Sequence, residues 1–125
     1  MARRDLTGAV DFGHLSVYAG GDLELMEEVL GLFREQAAMW VRLLDPAAPA
    51  EAWRDAAHTL KGSARGIGAF ALADACDAAE LAGPDVGERT VRVERVKDQL
   101  DAALADIAAW IHERTLQSIK RPEGS

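Results

Sequence analysis

Apolar residues recur along most of this chain at the three- and four-residue spacing of an α-helix. One such segment follows the glycines at 20–21, and a single glutamine interrupts its apolar series: Leu25, Val29, Leu32, Phe33, Gln36, Trp40 and Leu43. The last segment repeats the pattern over a longer stretch, with Trp110 beside it: Val93, Val96, Leu100, Leu104, Ile107 and Ile111. The periodicity predicts an all-α protein.

Polar, proline and glycine residues divide the pattern into helices. Asp11 and Asp22 stand where N-caps are expected, and the sequence DPAAP ends the second helix. The predicted helices cover residues 11–19, 22–44, 49–66 and 69–81, with a last one from 88–90 onward. Because short connections make consecutive helices antiparallel, we expect an antiparallel up-down-up-down four-helix bundle with a short additional N-terminal helix.

Length and charge limit the kind of protein this is. With 125 residues and a net charge of −7, we expect one helical domain at 11–115, a flexible N-terminus at 1–10 and a disordered tail at 116–125. Acidity argues against general nucleic-acid binding. No apolar run approaches the ~18 residues of a membrane span, and the single Cys76 suits a reducing compartment. We expect a cytoplasmic monomer that binds neither nucleic acid nor membrane.

The stretch AAHTLKGSARGIGA, residues 56–69, carries the candidate chemistry. At about 100° per residue, the apolar side chains of this helix lie opposite His58 and form one stripe: Trp53, Ala56, Ala57, Leu60, Ala64 and Ile67. His58 therefore points away from the core.

Gly62 lies on the same face as His58, one helical turn later. A glycine inside a helix costs roughly 1 kcal/mol relative to alanine, and side chains lean toward the helix N-terminus, so a glycine here leaves the imidazole accessible. Arg54, Lys61 and Arg65 surround this face, and Lys61 and Arg65 are expected to be locally unopposed. An exposed imidazole near cations suits reversible phosphorylation. The alternative is an ordinary solvated surface histidine, which would point in the same direction from the helix.

These residues resemble a known signature. HTLKGSARGIGA, residues 58–69, is similar to the motif of histidine-containing phosphotransfer (HPt) domains, in which a histidine is followed by an apolar residue, Lys-Gly, small residues and a further glycine. Here these are His58, Leu60, Lys61, Gly62 and Gly68. The resemblance implies that His58 carries a phosphoryl group through Nε2, and that Lys61 contacts the phosphoryl oxygens or the partner.

The resemblance also implies a polar side chain from the next helix beside the imidazole. Glu80 has the matching spacing, although glutamine is commoner there, and it would fix the ring tautomer. The alternative is a solvated helix residue.

The partners that the resemblance implies are receiver domains of response regulators and hybrid histidine kinases, which would supply the magnesium ion. The candidate docking residues lie on the first two helices: His14, Leu15, Tyr18, Leu23, Met26 and Leu30. The alternative is that these side chains belong to the periphery of the core. His14 and His112 are interpreted as surface histidines, and no residue set has metal-site spacing.

The sequence thus indicates a phosphorelay carrier without a cofactor of its own. It contains no GxxxxGK[ST] loop, so we expect neither kinase nor phosphatase activity. Two alternatives share the fold: the phospho-accepting domain of a chemotaxis-type histidine kinase, and a helical interaction module that works without phosphorylation. A bundle enzyme with a catalytic histidine would require a concave pocket at His58.

Overall fold

The computed structural model describes residues 8–120, which form α-helices and no strand. The helices are α1 (Phe12–Tyr18), α2 (Leu23–Leu43), α3 (Ala50–Gly66), α4 (Phe70–Glu80) and α5 (Val86–Lys120). The all-α prediction is confirmed, and the ends of α1 to α4 agree with the sequence to within one or two residues.

Four of the helices form an antiparallel bundle around one apolar core. In this bundle α2 packs against α3 and α5, and α4 packs against the same two helices. The short α1 lies across one end, where it contacts α2 and stacks Phe12 on Trp110 of α5 with 5.8 Å between ring centroids. The chain was expected to form this bundle with a small N-terminal helix, and it does.

Aspartates begin three of the helices. The carboxylates of Asp11 and Asp22 accept the backbone N–H groups of His14 and Leu25, at 3.0 and 3.1 Å. Asp85 accepts the N–H of Glu88 at 2.8 Å. This last cap explains why α5 begins at Val86, ahead of the predicted 88–90.

The far end of α5 also differs from its predicted bounds. The helix continues to Lys120, so residues 116–120 are helical although they were assigned to a disordered tail. Near this end the guanidinium of Arg114 donates to Glu27 of α2 at 2.8 Å and lies over the Trp110 ring. At the N-terminus, Val10 is buried and its N–H donates to Asp106, so the predicted flexible segment is anchored at residue 10. Residues 1–7 and 121–125 lie outside the described range.

The buried face of α2 overlaps only partly with its apolar series. The core residues of this helix are Met26, Leu30, Phe33 and Ala37, of which only Phe33 belongs to that series. Leu25, Leu32 and Leu43 are exposed. Apolar residues cover a wide arc of α2, and its packing against α3 and α5 decides which part of that arc is buried.

The only cysteine of the sequence, Cys76, lies in the core on α4. Burial raises the pKa of its thiol to about 12. The thiol therefore stays protonated and unreactive near neutral pH.

Gly68 shapes the turn between α3 and α4. Its φ is +84°, and the N–H groups of Gly68 and Ala69 donate to the carbonyls of Arg65 and Ala64, which is the Schellman pattern of a helix end. A Cβ at this position would lie 2.6 Å from the carbonyl oxygen of Asp11, whose own N–H donates to the Gly68 carbonyl. Only glycine fits both the conformation and the contact with the start of α1.

Gly68→Ala should therefore lower the free energy of unfolding by at least about 2 kcal/mol, from the left-handed φ together with the steric contact. Urea denaturation followed by circular dichroism measures the change. The matched control is Gly31→Ala in α2, where an added Cβ meets no atom within 4 Å. That change should stabilise the protein by about 0.5–1 kcal/mol. Equal stability of the Gly68 variant and wild type would contradict this account of the turn.

Candidate functional site

His58 projects from the middle of α3 into solvent, with 68% of its side chain exposed. The opposite face of α3 is buried, as the sequence predicted: Trp53, Ala56, Ala57, Leu60 and Ala64, with Ile67 just after the helix. The imidazole is thus on a convex surface. A bundle enzyme with a catalytic histidine was expected to need a concave pocket at the ring, whereas the His58 ring is largely exposed.

Glu80, at the C-terminal end of α4, contacts the imidazole. Its Oε2 lies 3.2 Å from Nδ1 of His58. A hydrogen bond from the Lys61 ammonium lowers the pKa of the Glu80 carboxyl. The carboxylate is therefore ionised near neutral pH and can only accept hydrogen bonds. The proton of the neutral ring accordingly resides on Nδ1, and Nε2 keeps its lone pair.

Lys61 is not the unopposed cation that the sequence suggested. Its ammonium donates to Glu80 Oε1 at 2.6 Å and to Asp77 Oδ1 at 3.1 Å, and only 12% of the side chain is exposed. The hydrogen bonds to these two carboxylates raise the pKa of the Lys61 ammonium. We call the linked side chains Asp77, Lys61, Glu80 and His58 the α3–α4 charge chain.

Asp77 was missed in the sequence because its partner is 16 residues away on another helix. The available signal was that Asp77 and Glu80 are three residues apart, which places both carboxylates on one face of α4. Once α4 is packed against α3, that face meets Lys61.

The two arginines near His58 supply the remaining positive charge. Arg54 and Arg65 are both exposed, and neither forms an ion pair within 4 Å with another described residue. The cationic character that the sequence assigned to this face therefore comes from the arginines more than from Lys61.

Gly62 is exposed on the same face, and an added Cβ would meet no atom within 4 Å. The space above it is therefore open in the free protein. A methyl group would fit, and only a longer side chain would reach over the imidazole.

The structure separates the predicted docking residues into two groups. Leu15, Met26 and Leu30 are at most 2% exposed and belong to the core, which agrees with the alternative interpretation of these side chains, although Leu15 also lines the apolar groove described below. They pack inward because α1 and α2 turn these positions toward the bundle. His14, Tyr18 and Leu23 are exposed, and His14 packs edge-on against Phe70.

An apolar groove of about 360 Å³ lies between α1, α2 and α3. Tyr18 and Ser63 are among its lining residues, together with three from α2 that the sequence had not singled out for docking: Leu25, Val29 and Leu32. The signal for them was the apolar series of α2 itself, part of which lines this groove while Phe33 of the same series is buried in the core.

Packing next to the site fixes α4 against α3. The indole N–H of the buried Trp53 donates to the carbonyl of Ala79 at 2.7 Å, beside Glu80. The guanidinium of Arg89 lies over the Trp53 ring at 4.9 Å and donates to the carbonyls of Pro46, Ala48 and Gly83. These contacts hold the α2–α3 loop and the α4–α5 loop against α3.

Within residues 8–120, no three His, Cys, Asp or Glu side chains are arranged to hold a metal ion. Nor does any helix in that range have the length and apolarity needed to cross a membrane.

Comparison with known proteins agrees with this site. A family model described as the Hpt domain matches residues 21–110. The structure is similar to the crystal structure of the histidine phosphotransferase ShpA from Caulobacter crescentus, with a TM-score of 0.75 and 50% sequence identity. That match covers 90% of this chain and 100% of ShpA. No curated protein sequence matches the chain.

The family match spans α2, α3, α4 and most of α5, and so includes His58, Lys61, Gly62 and Glu80. Sequence, fold and site agree, and the chain belongs to the Hpt domain family.

Proposed function

We propose that this protein is a phosphorelay carrier and that His58 bears the phosphoryl group on Nε2. One observation carries the proposal: the Glu80 carboxylate lies 3.2 Å from Nδ1, while the ring projects into solvent on a convex surface. One ring nitrogen is thus occupied, and the other is a free nucleophile.

The transfer requires no group beyond the ring and its partner. Nε2 of His58 attacks the phosphorus of an aspartyl phosphate on a receiver domain, and the N–P bond forms as the bond to the aspartate oxygen breaks. The aspartate leaves as a carboxylate. The proton stays on Nδ1, where the charge of Glu80 stabilises the imidazolium that forms. The reverse reaction passes the phosphoryl group to a second receiver.

The partner would be a receiver domain of a response regulator or of a hybrid histidine kinase. Arg54 and Arg65 are placed to face an acidic receiver pocket, which would supply the magnesium ion. The exposed Tyr18 and Leu23, with the apolar groove between α1, α2 and α3, would form the contact beside His58. The carrier itself would act as a cytoplasmic monomer, with no cofactor and no kinase or phosphatase activity.

A phosphotransfer profile tests this proposal. Wild-type protein is mixed with each receiver domain of the source organism, phosphorylated beforehand with ³²P. We expect label to appear on the protein with at least one receiver, and to be labile in acid and stable in base. Magnesium ATP alone should give no label.

Two outcomes would contradict the proposal. If no receiver labels the protein, the phosphorylation-independent interaction module is the better interpretation. If a histidine kinase catalytic domain labels it from ATP while receivers only remove the label, the protein is the phospho-accepting domain of a chemotaxis-type kinase.

A further inference from the structure

The α3–α4 charge chain holds more negative charge than Lys61 can neutralise. Lys61 contributes one positive charge, whereas Asp77 and Glu80 contribute one negative charge each. The chain of contacts therefore has a net charge of −1 next to an imidazole that, under the proposed function, must hold a phosphoryl dianion. This excess of negative charge repels the phosphoryl dianion and so lowers the stability of the phosphohistidine.

The two carboxylates have different hydrogen-bond partners. Glu80 divides its oxygens between Lys61 and His58, so it is needed to orient the ring. Asp77, by contrast, forms a hydrogen bond and ion pair with Lys61 and with no other described side chain, and its own side chain is 46% exposed. Asp77 therefore acts on the site through Lys61.

Lys61 lies three residues after His58 on α3, within the distance at which helical side chains are neighbours. Its ammonium is nevertheless held between α3 and α4, with little of the side chain exposed. Two of the three N–H donors of the ammonium are committed to Glu80 and Asp77, so these carboxylates restrict its movement toward a phosphoryl oxygen on Nε2. Glu80 contacts both Lys61 and the ring, whereas Asp77, three residues earlier on α4, bonds Lys61 and not the ring.

Resting on the proposed function, we infer that Asp77 is a positioning residue that sets the phosphoryl-transfer equilibrium of this carrier. By sharing Lys61 with Glu80, it limits the positive charge that the phosphoryl group on His58 can recruit. The phosphoryl group is held less tightly and passes more readily to the next receiver. A carrier between two aspartyl phosphates benefits from such a balance, because too stable a phosphohistidine would trap the signal.

The test is the equilibrium constant for transfer from a phosphorylated receiver to this protein, measured by ³²P partition at low ionic strength. Asp77→Asn keeps the shape of the side chain and removes its charge. We expect the equilibrium to shift toward phosphohistidine by about threefold to tenfold, the size of one partly exposed charge interaction. Asp77→Glu should restore the wild-type value.

Asp74→Asn is the matched control. It removes the same charge from the same helix, but Asp74 lines the opposite groove with Arg92 and Arg95 and makes no ion pair with Lys61. We expect a change of less than about twofold, as for a remote exposed charge. In a Lys61→Met background, the effect of Asp77→Asn should fall to that of Asp74→Asn, because the two residues act as one unit and only a weak direct repulsion between Asp77 and the phosphoryl group remains.

Three results would overturn the inference: an unchanged equilibrium in Asp77→Asn, an equal shift in Asp74→Asn, or a shift that keeps its full size without Lys61. In each of these cases wild type would still be labelled, so the proposed function would stand. If no receiver labels wild type, both the function and the role of Asp77 are wrong.

Discussion

His58→Gln is expected to accept no phosphoryl group from any receiver that labels wild type. Glutamine keeps a polar side chain of similar length but has no ring nitrogen to attack phosphorus. The exposed position predicts a change in unfolding free energy within about 0.5 kcal/mol, so the loss will not come from misfolding. Phosphotransfer with ³²P and urea denaturation on the same preparation measure both quantities.

The other two histidines of the sequence provide the control. His14 and His112 are both exposed, and neither contacts Lys61 or Glu80. A variant with His14→Gln and His112→Gln should still accept label, because neither of these rings is the proposed phosphoryl acceptor. Label that survives His58→Gln but disappears from this double variant would place the phosphohistidine elsewhere.

Gly62→Gln is expected to slow phosphotransfer by at least about tenfold while α3 stays folded. The added side chain leans toward the helix N-terminus and covers the approach to Nε2. In-line attack needs close alignment, and displacement of the reacting atoms by about 1 Å can cost on the order of 100-fold in rate. Rapid-quench measurement of single-turnover transfer gives the rate constant.

Two control variants distinguish an effect on access to the imidazole from an effect on the folding of the helix. Gly62→Ala should transfer at close to the wild-type rate, because its Cβ meets no atom within 4 Å. Gly31→Gln places the same side chain at another helical glycine, beside Leu104 and away from His58, and should also leave the rate unchanged. If Gly62→Gln transfers as fast as wild type at matched stability, the glycine has no role in access.

The orientation of His58 was predictable because it depends on one helix alone. The apolar residues of α3 form a narrow stripe, so the phase of Trp53, Leu60 and Ala64 fixes the direction of every other side chain on that helix. The same phase predicted that Gly62, Arg54 and Arg65 lie on the face of α3 that carries His58. The contact between Glu80 and His58 was only implied by resemblance, because it depends on how α4 packs on α3.

The buried face of α2 was not predictable in the same way. Leu25 and Leu32 are as apolar as Met26 and Leu30, and both pairs recur at helical spacing. Packing of α3 and α5 against α2 decides which pair enters the core, and periodicity carries no information on those neighbours. The leucines left outside line the groove proposed for the receiver.

The burial and pairing of two charged residues, Lys61 and Arg89, depend on partners that are distant in the sequence. Lys61 appeared free because its carboxylate partners lie on the next helix. Arg89 lies in the first turn of α5, in a polar stretch of the sequence, yet it is buried against Trp53 and donates to three loop carbonyls. For Lys61 the available signal was the shared face of Asp77 and Glu80 on α4, and for Arg89 the local sequence gives none, because both contacts form only when the helices pack.

The most direct test of the central claim is the position of the phosphoryl group on the ring. Protein labelled with ¹⁵N at histidine is phosphorylated by a matching receiver and studied by ¹⁵N and ³¹P NMR. The account predicts one phosphohistidine, at His58, with phosphorus bonded to Nε2 and the proton kept on Nδ1 opposite Glu80. Phosphorus on Nδ1, or on a histidine other than His58, would contradict it.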